Sequence, residues 1–144
     1  MNKVFSHEQL IRFSHCDPAA IVYFPRFFDL AHATMEDWFA NGLGFPLPEL
    51  ILQRRIGTPT VSIQCDFSKP LRMGDTLRFE FRVARLGNAS ADFDYRGMNR
   101  DSEHLRISQT IVFMDLEAAK AIPIPGDVRT AIEPFVMSAG KAGE

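Results

Sequence analysis

The chain has 144 residues, 46% hydrophobic and 24% charged, with a net charge of -2 at neutral pH. That size suffices for one domain with its own core, and the balanced charge gives no reason to expect nucleic acid or an anionic membrane as partner. No apolar run is long enough to span a bilayer, and the N-terminal residues lack the apolar stretch of a secretory signal.

In chain order, residues 5–14 read as a first strand, with Ile11 and Phe13 flanking Arg12. From Pro25 to about Asn41 the period becomes helical: Phe24, Phe27, Phe28, Ala31, Met35, Trp38 and Phe39 recur on one face. So bulky a face predicts a helix wrapped by a sheet. Gly42 and Gly44 suit its C-terminus, and residues 46–53 read as a short second helix. Residues 58–114 alternate as strands. Val61, Ile63, Cys65 and Phe67 form one apolar set, Leu77, Phe79, Phe81 and Val83 the next, then Ala91, Phe93 and Tyr95, then Leu105, Ile107, Ile111 and Phe113. One apolar and one polar face predict an antiparallel sheet packed on one side. Turns are expected at residues 70–75, 87–88 and 99–102. The order of strand, long helix and a four-strand meander predicts an α+β fold, a curled sheet of about five strands around one long helix. Residues 1–136 form the single expected domain, and residues 137–144 a loose, flexible tail.

Asp17 stands before Pro18, which pushes it toward extended geometry. The pair suits a plain turn, since Asx-Pro turns are common. It also suits a held carboxylate that acts as general base or as nucleophile. The helix start favours the second reading. Pro25 suits the first helical position, and Ala20 to Phe24 offer no capping side chain. Amides near Tyr23 and Phe24 are therefore candidates to bind a developing oxyanion.

Other chemistries lack their motifs. There is no G-x-S-x-G elbow, and Gly42-Leu43-Gly44 follows a helix where a phosphate loop would precede one. His7, His15, His32 and His104 have no metal-ligand spacing. His15 and Cys16 are adjacent, so in an extended segment they face opposite ways. Cys16 and Cys65 make no CxxC pair and fit a reduced, cytoplasmic protein. Asp29 and Glu36 read as a solvated helical stripe. His32, between them, suits either that stripe or the polar end of a substrate pocket.

Asp17-Pro18-Ala19-Ala20-Ile21-Val22-Tyr23-Phe24-Pro25 resembles the signature of the 4-hydroxybenzoyl-CoA thioesterase family, and Phe67-Ser68-Lys69-Pro70-Leu71-Arg72-Met73-Gly74-Asp75-Thr76-Leu77 resembles that family's turn between its second and third strands. The likeness runs from about residue 8 to residue 135. It implies the hotdog fold and hydrolysis of an acyl-CoA thioester without cofactor or metal. Asp17 then matches the catalytic carboxylate, and the Phe24 amide the donor to the thioester carbonyl. Tyr23, His32, Thr58 and Thr60 fall where the family binds its acyl group. The resemblance further implies dimers joined edge to edge, often paired into homotetramers, with active sites between subunits. Pro25, where many branches carry histidine, tilts the expectation toward an aromatic acyl group. Gly87-Asn88-Ala89 replaces a basic run that holds the nucleotide phosphates in the aryl-CoA branch, which leaves Arg82, Arg85, Arg96, Arg100 or the partner subunit for that task. Competing readings are a thioesterase for acyl carrier protein and a non-catalytic protein that binds CoA esters.

Overall fold

The computed structural model describes residues 2–137. β1 (Phe5–Leu10) leads into a 3-10 turn at Phe13–His15 and then α1 (Arg26–Asp37), which continues in wider π-type turns through Trp38–Leu43. A short π-type turn at Glu49–Gln53 precedes β2 (Ile56–Gly57) and β3 (Thr60–Phe67). β4 (Thr76–Leu86), β5 (Ser90–Asn99) and β6 (Ser102–Val112) are the long strands. β7 (Met114–Asp115) and β8 (Lys120–Ala121) form a small sheet with β2, and α2 (Gly126–Ile132) ends in a 3-10 turn at Glu133–Phe135.

The main sheet has five antiparallel strands in the order β1-β4-β5-β6-β3. Its inner side carries the alternating apolar residues of the three central strands, all buried. α1 and its continuation lie against that side. The Trp38 ring stands 4.7 Å from Phe81, 5.3 Å from Phe93 and 5.6 Å from Phe135, centre to centre. Such offset and edge-on contacts contribute about 0.5–1.5 kcal/mol each beyond simple burial. At the first strand, His7 bridges to α1, with Nδ1 2.9 Å from Thr34 Oγ1 and Nε2 2.6 Å from Asp37 Oδ2. The outer side is polar, laced by pairs such as Arg96–Glu103 at 2.8 Å. No helix among the described residues is long and apolar enough to cross a membrane.

The α+β hotdog arrangement agrees with the pattern in the chain, and several details differ. The first strand stops at Leu10, and Phe13 is 83% exposed instead of joining Ile11 in the core. The helix ends as expected at Gly44, whose φ of 81° suits glycine, but Gly42 lies inside the last turns. The meander holds only for β4 to β6. β3 pairs with β6 at the far edge, and the chain crosses the sheet end before entering β4. In consequence the apolar set of β3 is not buried: Val61 is 60% exposed, Ile63 43% and Phe67 48%. Of the expected tail, Met137 is tied by its N–H to Val83 O at 2.8 Å, and residues 138–144 lie outside the described residues.

Gly97 marks the tightest approach inside the sheet. A Cβ there would lie 2.7 Å from Leu105 Cγ and 3.3 Å from Leu77 Cδ1. Gly97→Ala is expected to destabilise the fold by about 1–3 kcal/mol, because the neighbours are packed core side chains. Urea unfolding of the two proteins tests this; an unchanged midpoint would show that the leucines yield freely.

Candidate active site

Asp17 lies in a tight hairpin between the 3-10 turn and α1. Cys16 bridges to Val22, the Asp17 N–H donates to Ile21 O at 3.0 Å, and the Tyr23 N–H donates to His15 O at 2.9 Å. The tip closes through Ala20 N–H to Asp17 O at 2.9 Å, with Ala20 at a φ of 63°. A left-handed alanine is strained, by about 1–2 kcal/mol. Backbone bonds hold it there: Met73 N–H donates to Ala20 O at 3.0 Å, and Val22 N–H to Leu71 O at 2.9 Å. The two sequence blocks that carry the family resemblance are thus paired with each other.

The Asp17 carboxylate is half-buried. Its Oδ1 accepts the Ala19 N–H at 2.8 Å, an Asx turn. Among the described residues no donor reaches Oδ2, so one oxygen is held and the other is available. At the helix start the hydrogen bonds separate the two candidate amides near Tyr23 and Phe24. Arg26, Phe27 and Phe28 donate to the carbonyls of Tyr23, Phe24 and Pro25 at 2.8, 3.1 and 3.2 Å. Tyr23 is engaged with His15, and Pro25 has no N–H. From Tyr23 to Phe28, only the Phe24 N–H is without a protein acceptor among the described residues. A sequence without capping side chains signals open donors, but 3-10 closure of a first turn leaves no trace in residue types.

Phe24 is 58% exposed, and its ring stands 6.4 Å from Phe67. Phe27 is buried, 5.2 Å from the same ring. With Val22, Lys69 and Leu71 these residues line an open cavity of about 310 Å³ beside the hairpin. Phe67, at the end of β3, is the wall that the sequence reading placed in the core. Its strand alternation carried no sign that this edge lies bare.

The other expected site residues stand apart within one subunit. Tyr23 is exposed next to Phe24. His32 is exposed on α1, 3.7 Å from Glu36, and no contact joins it to Asp17. Thr58 and Thr60 lie at the opposite end of β3 from Phe67. Thr60 accepts a hydrogen bond from Gln109 Nε2 at 2.7 Å. Arg82 and Arg96 project from the sheet's outer side, away from the helix, and Arg85 pairs with Asp92 at 3.7 Å. They do not reach the hairpin. Arg100 sits in the turn between β5 and β6. Among the described residues no cluster of side chains could hold a metal ion.

A family model described as the thioesterase-like superfamily matches residues 11–132. The chain therefore belongs to that superfamily and is a hotdog-fold thioesterase. A 1,4-dihydroxy-2-naphthoyl-CoA hydrolase of Synechococcus elongatus is 27% identical over 123 residues, which is 84% of this chain and 89% of the relative. A 4-hydroxybenzoyl-CoA thioesterase of a Pseudomonas species is 32% identical over 81 residues, 56% of this chain and 57% of the relative. Among solved structures, a thioesterase superfamily member from a Jannaschia species superposes with a TM-score of 0.88 at 26% identity, covering 96% of each chain. A 1,4-dihydroxy-2-naphthoyl-CoA thioesterase from Synechocystis gives 0.83 at 25% identity, over 90% of this chain and 96% of its own.

His15 supports the hairpin by accepting the Arg12 N–H on Nδ1 at 2.9 Å. Burial lowers its pKa below the ordinary 6.5; the charges of Arg12 and Arg26 lower it further, against Asp29. Between that lowered value and 6.5 the unfolded chain binds more protons than the native one, so stability falls as pH falls through this window. His15→Asn keeps an acceptor for Arg12 without a group that titrates there. Its unfolding free energy is expected to decline less than that of the wild type between about pH 7 and pH 5. Parallel curves would remove His15 from the acid response.

Proposed function

We propose that the protein hydrolyses the thioester of an aromatic acyl-CoA, using Asp17 and the Phe24 amide, in a dimer formed through β3. The observation that carries this is the pair of open valences at the hairpin: Asp17 Oδ2 and the Phe24 N–H, the one backbone donor of the helix entry with no protein acceptor among the described residues. In this scheme Asp17 takes a proton from water as the water oxygen attacks the thioester carbonyl carbon. The Phe24 N–H stabilises the oxyanion, the C–S bond breaks, and the CoA sulfur leaves as a thiol with the transferred proton. The same carboxylate can instead attack directly and form a mixed anhydride that water then opens. A single turnover in heavy-oxygen water separates these routes, since only the anhydride route leaves label on Asp17.

An aromatic acyl group is favoured by the walls beside the hairpin, Phe24, Phe27 and Phe67, whose rings present both faces and edges to a flat ligand. The named relatives act on aryl-CoA esters, one bicyclic and one monocyclic. CoA phosphate contacts fall to groups near the hairpin or on the partner, since Arg82, Arg85 and Arg96 lie elsewhere. Cys16 and Cys65 are free, as suits a cytoplasmic enzyme.

The dimer follows from the bare edge. Among the described residues β3 pairs on one edge only and its apolar side is largely exposed, a combination that native proteins normally cover. At about 3.3 Å per residue, Thr60 and Phe67 are separated by roughly 23 Å. Antiparallel pairing of two β3 strands about a two-fold axis would set the Thr60 end of one subunit beside the Phe67 end and hairpin of the other. That arrangement brings Thr58 and Thr60 to Asp17 across the interface, which a single subunit does not do. We take this dimer as the repeating unit of a tetramer.

Assayed on a panel of aryl-CoA and alkyl-CoA esters, the wild type is expected to release thiol fastest from the aryl esters. Asp17→Asn should keep its melting temperature and lose turnover by about 1000-fold or more, the scale set by loss of a catalytic acid–base or nucleophilic group. Unchanged turnover in that variant would sink the scheme. Ile63→Lys, which puts a charge on the exposed side of β3, should lower both the sedimenting mass and the activity. A monomer that retains full activity would exclude a shared site.

A further inference from the structure

Apart from the aromatic Tyr95 and Trp38, only two side chains with polar groups are buried among the described residues, Thr34 and Gln109. Thr34 is accounted for by α1 itself, since its hydroxyl donates to Leu30 O at 3.3 Å. Gln109 has no such local reason. It lies on the inner side of β6 between Ile107 and Ile111, among core residues. The Tyr95 hydroxyl donates to Gln109 Oε1 at 2.5 Å, and Gln109 Nε2 donates to Thr60 Oγ1 at 2.7 Å.

This chain of bonds has a direction. Tyr95 is fully buried, and burial raises the pKa of its phenol far above neutrality, so it stays a donor. A phenol donating to Oε1 turns the amide nitrogen of Gln109 toward Thr60. The Thr60 oxygen is then an acceptor on its inner side, and its own hydrogen must point elsewhere. Among the described residues that hydrogen meets no acceptor. Thr60 is exposed at the start of the bare edge strand, and the register between β3 and β6 shifts between Thr60 and Ser62. Bulges of this kind re-aim side chains. Packing alone gives no reason for the chain, because apolar groups of the same shape can replace both partners of a buried hydrogen bond at little cost.

We propose that Tyr95 and Gln109 are positioning residues that hold Thr60 as a one-way hydrogen-bond donor to an oxygen of the acyl-CoA bound at the partner subunit's hairpin. The inference rests on the thioesterase reading and on the β3 dimer given above. It adds two residues from the core of one subunit to the machinery of a site on the other. Tyr95 and Gln109 act through Thr60 and touch no substrate.

The test uses the full-length protein and the aryl-CoA ester that the wild type turns over fastest. Thr60→Val keeps the branched shape and loses the hydroxyl; Thr60→Ser keeps the hydroxyl. Thr60→Val is expected to lower kcat by about 10- to 100-fold, with KM changed much less, the scale of one well-aimed hydrogen bond. Thr60→Ser should stay close to the wild type. Gln109→Met should lower kcat by a similar factor, and the double variant Thr60→Val/Gln109→Met should be no slower than Thr60→Val alone. Should Gln109→Met fail to fold, Gln109→Glu serves in its place. A carboxylate only accepts, so it draws the Thr60 hydrogen inward and should lower kcat in the same way. Wild-type kcat in either folded Gln109 variant, with Thr60→Val impaired, would overturn the positioning role. Additive losses in the double variant would do the same. Full activity in Thr60→Val while Asp17→Asn is inert would defeat this inference and leave the thioesterase reading standing. Full activity in Asp17→Asn would defeat that reading first.

Discussion

The site depends on how one hairpin spends its backbone hydrogen bonds. From His15 to Phe28 nearly every N–H finds a carbonyl close at hand: Tyr23 turns back to His15, Val22 reaches across to Leu71, and the first helical amides close onto Tyr23, Phe24 and Pro25. Among the described residues the amides of Ile21 and Phe24 are left without a protein acceptor, and of the two only Phe24 stands at the start of the helix. The same bonds fix Asp17. Its backbone is locked on both sides, one carboxylate oxygen is tied to the Ala19 amide, and the other is left open. In the proposed mechanism, rigidity of this sort would keep the acid and the donor in place without reorganisation during the reaction. The strain at Ala20 belongs to the same design, for the bond from Met73 would have no acceptor in that position if the tip relaxed.

A second constraint acts at the far side of the sheet. The chain leaves β3 at Phe67, pairs Ser68 and Lys69 with His104 O, passes under the hairpin at Leu71 and Arg72, and enters β4 beside β1. This crossing supplies the floor of the hairpin. It also strands β3 at an edge, where the inner-side residues Ile63 and Phe67 remain exposed although the Phe67 ring touches Phe27 of α1. One topological choice therefore creates both the supported acid and the exposed apolar strip of the proposed dimer interface.

Much of this was legible in the residues. The helical period of Phe27, Ala31, Met35, Trp38 and Phe39, the strict alternation of Leu77, Phe79, Phe81 and Val83, and the Asp17-Pro18 turn are local patterns, and local patterns survive in the fold. Strand pairing is not local. Val61, Ile63, Cys65 and Phe67 alternate as cleanly as the central strands, and alternation says which side is apolar but not what lies against it. For that reason β3 read as one more buried strand of a meander. Hydrogen-bond accounting is equally hidden: nothing in the residue types of Tyr23 and Phe24 says that one amide is taken by His15 and the next is not. Gln109 was missed for a related cause. A glutamine between two isoleucines looks like an interruption of the strand pattern, and only its neighbours across the sheet show that Tyr95 and Thr60 continue it.

The polar groups of the sheet divide by side, and the division bears on function. On the outer side most charges pair with one another, Arg96 with Glu103 and Glu80, Arg78 with Glu80 and Arg106 with Asp94, while Arg82 has no ion pair among the described residues. Such partly exposed pairs contribute little to stability, about 0–1 kcal/mol each. On the inner side polarity is scarce and open-ended. The Tyr95–Gln109 pair ends at a hydroxyl with a hydrogen to give, and the hairpin ends at a carboxylate oxygen and an amide with nothing to hold. These open ends lie at opposite ends of β3, an edge strand of the sheet whose apolar side is exposed. Pairing that edge with a second copy would join them in a single step, so that burial of the apolar strip and completion of the site become the same event.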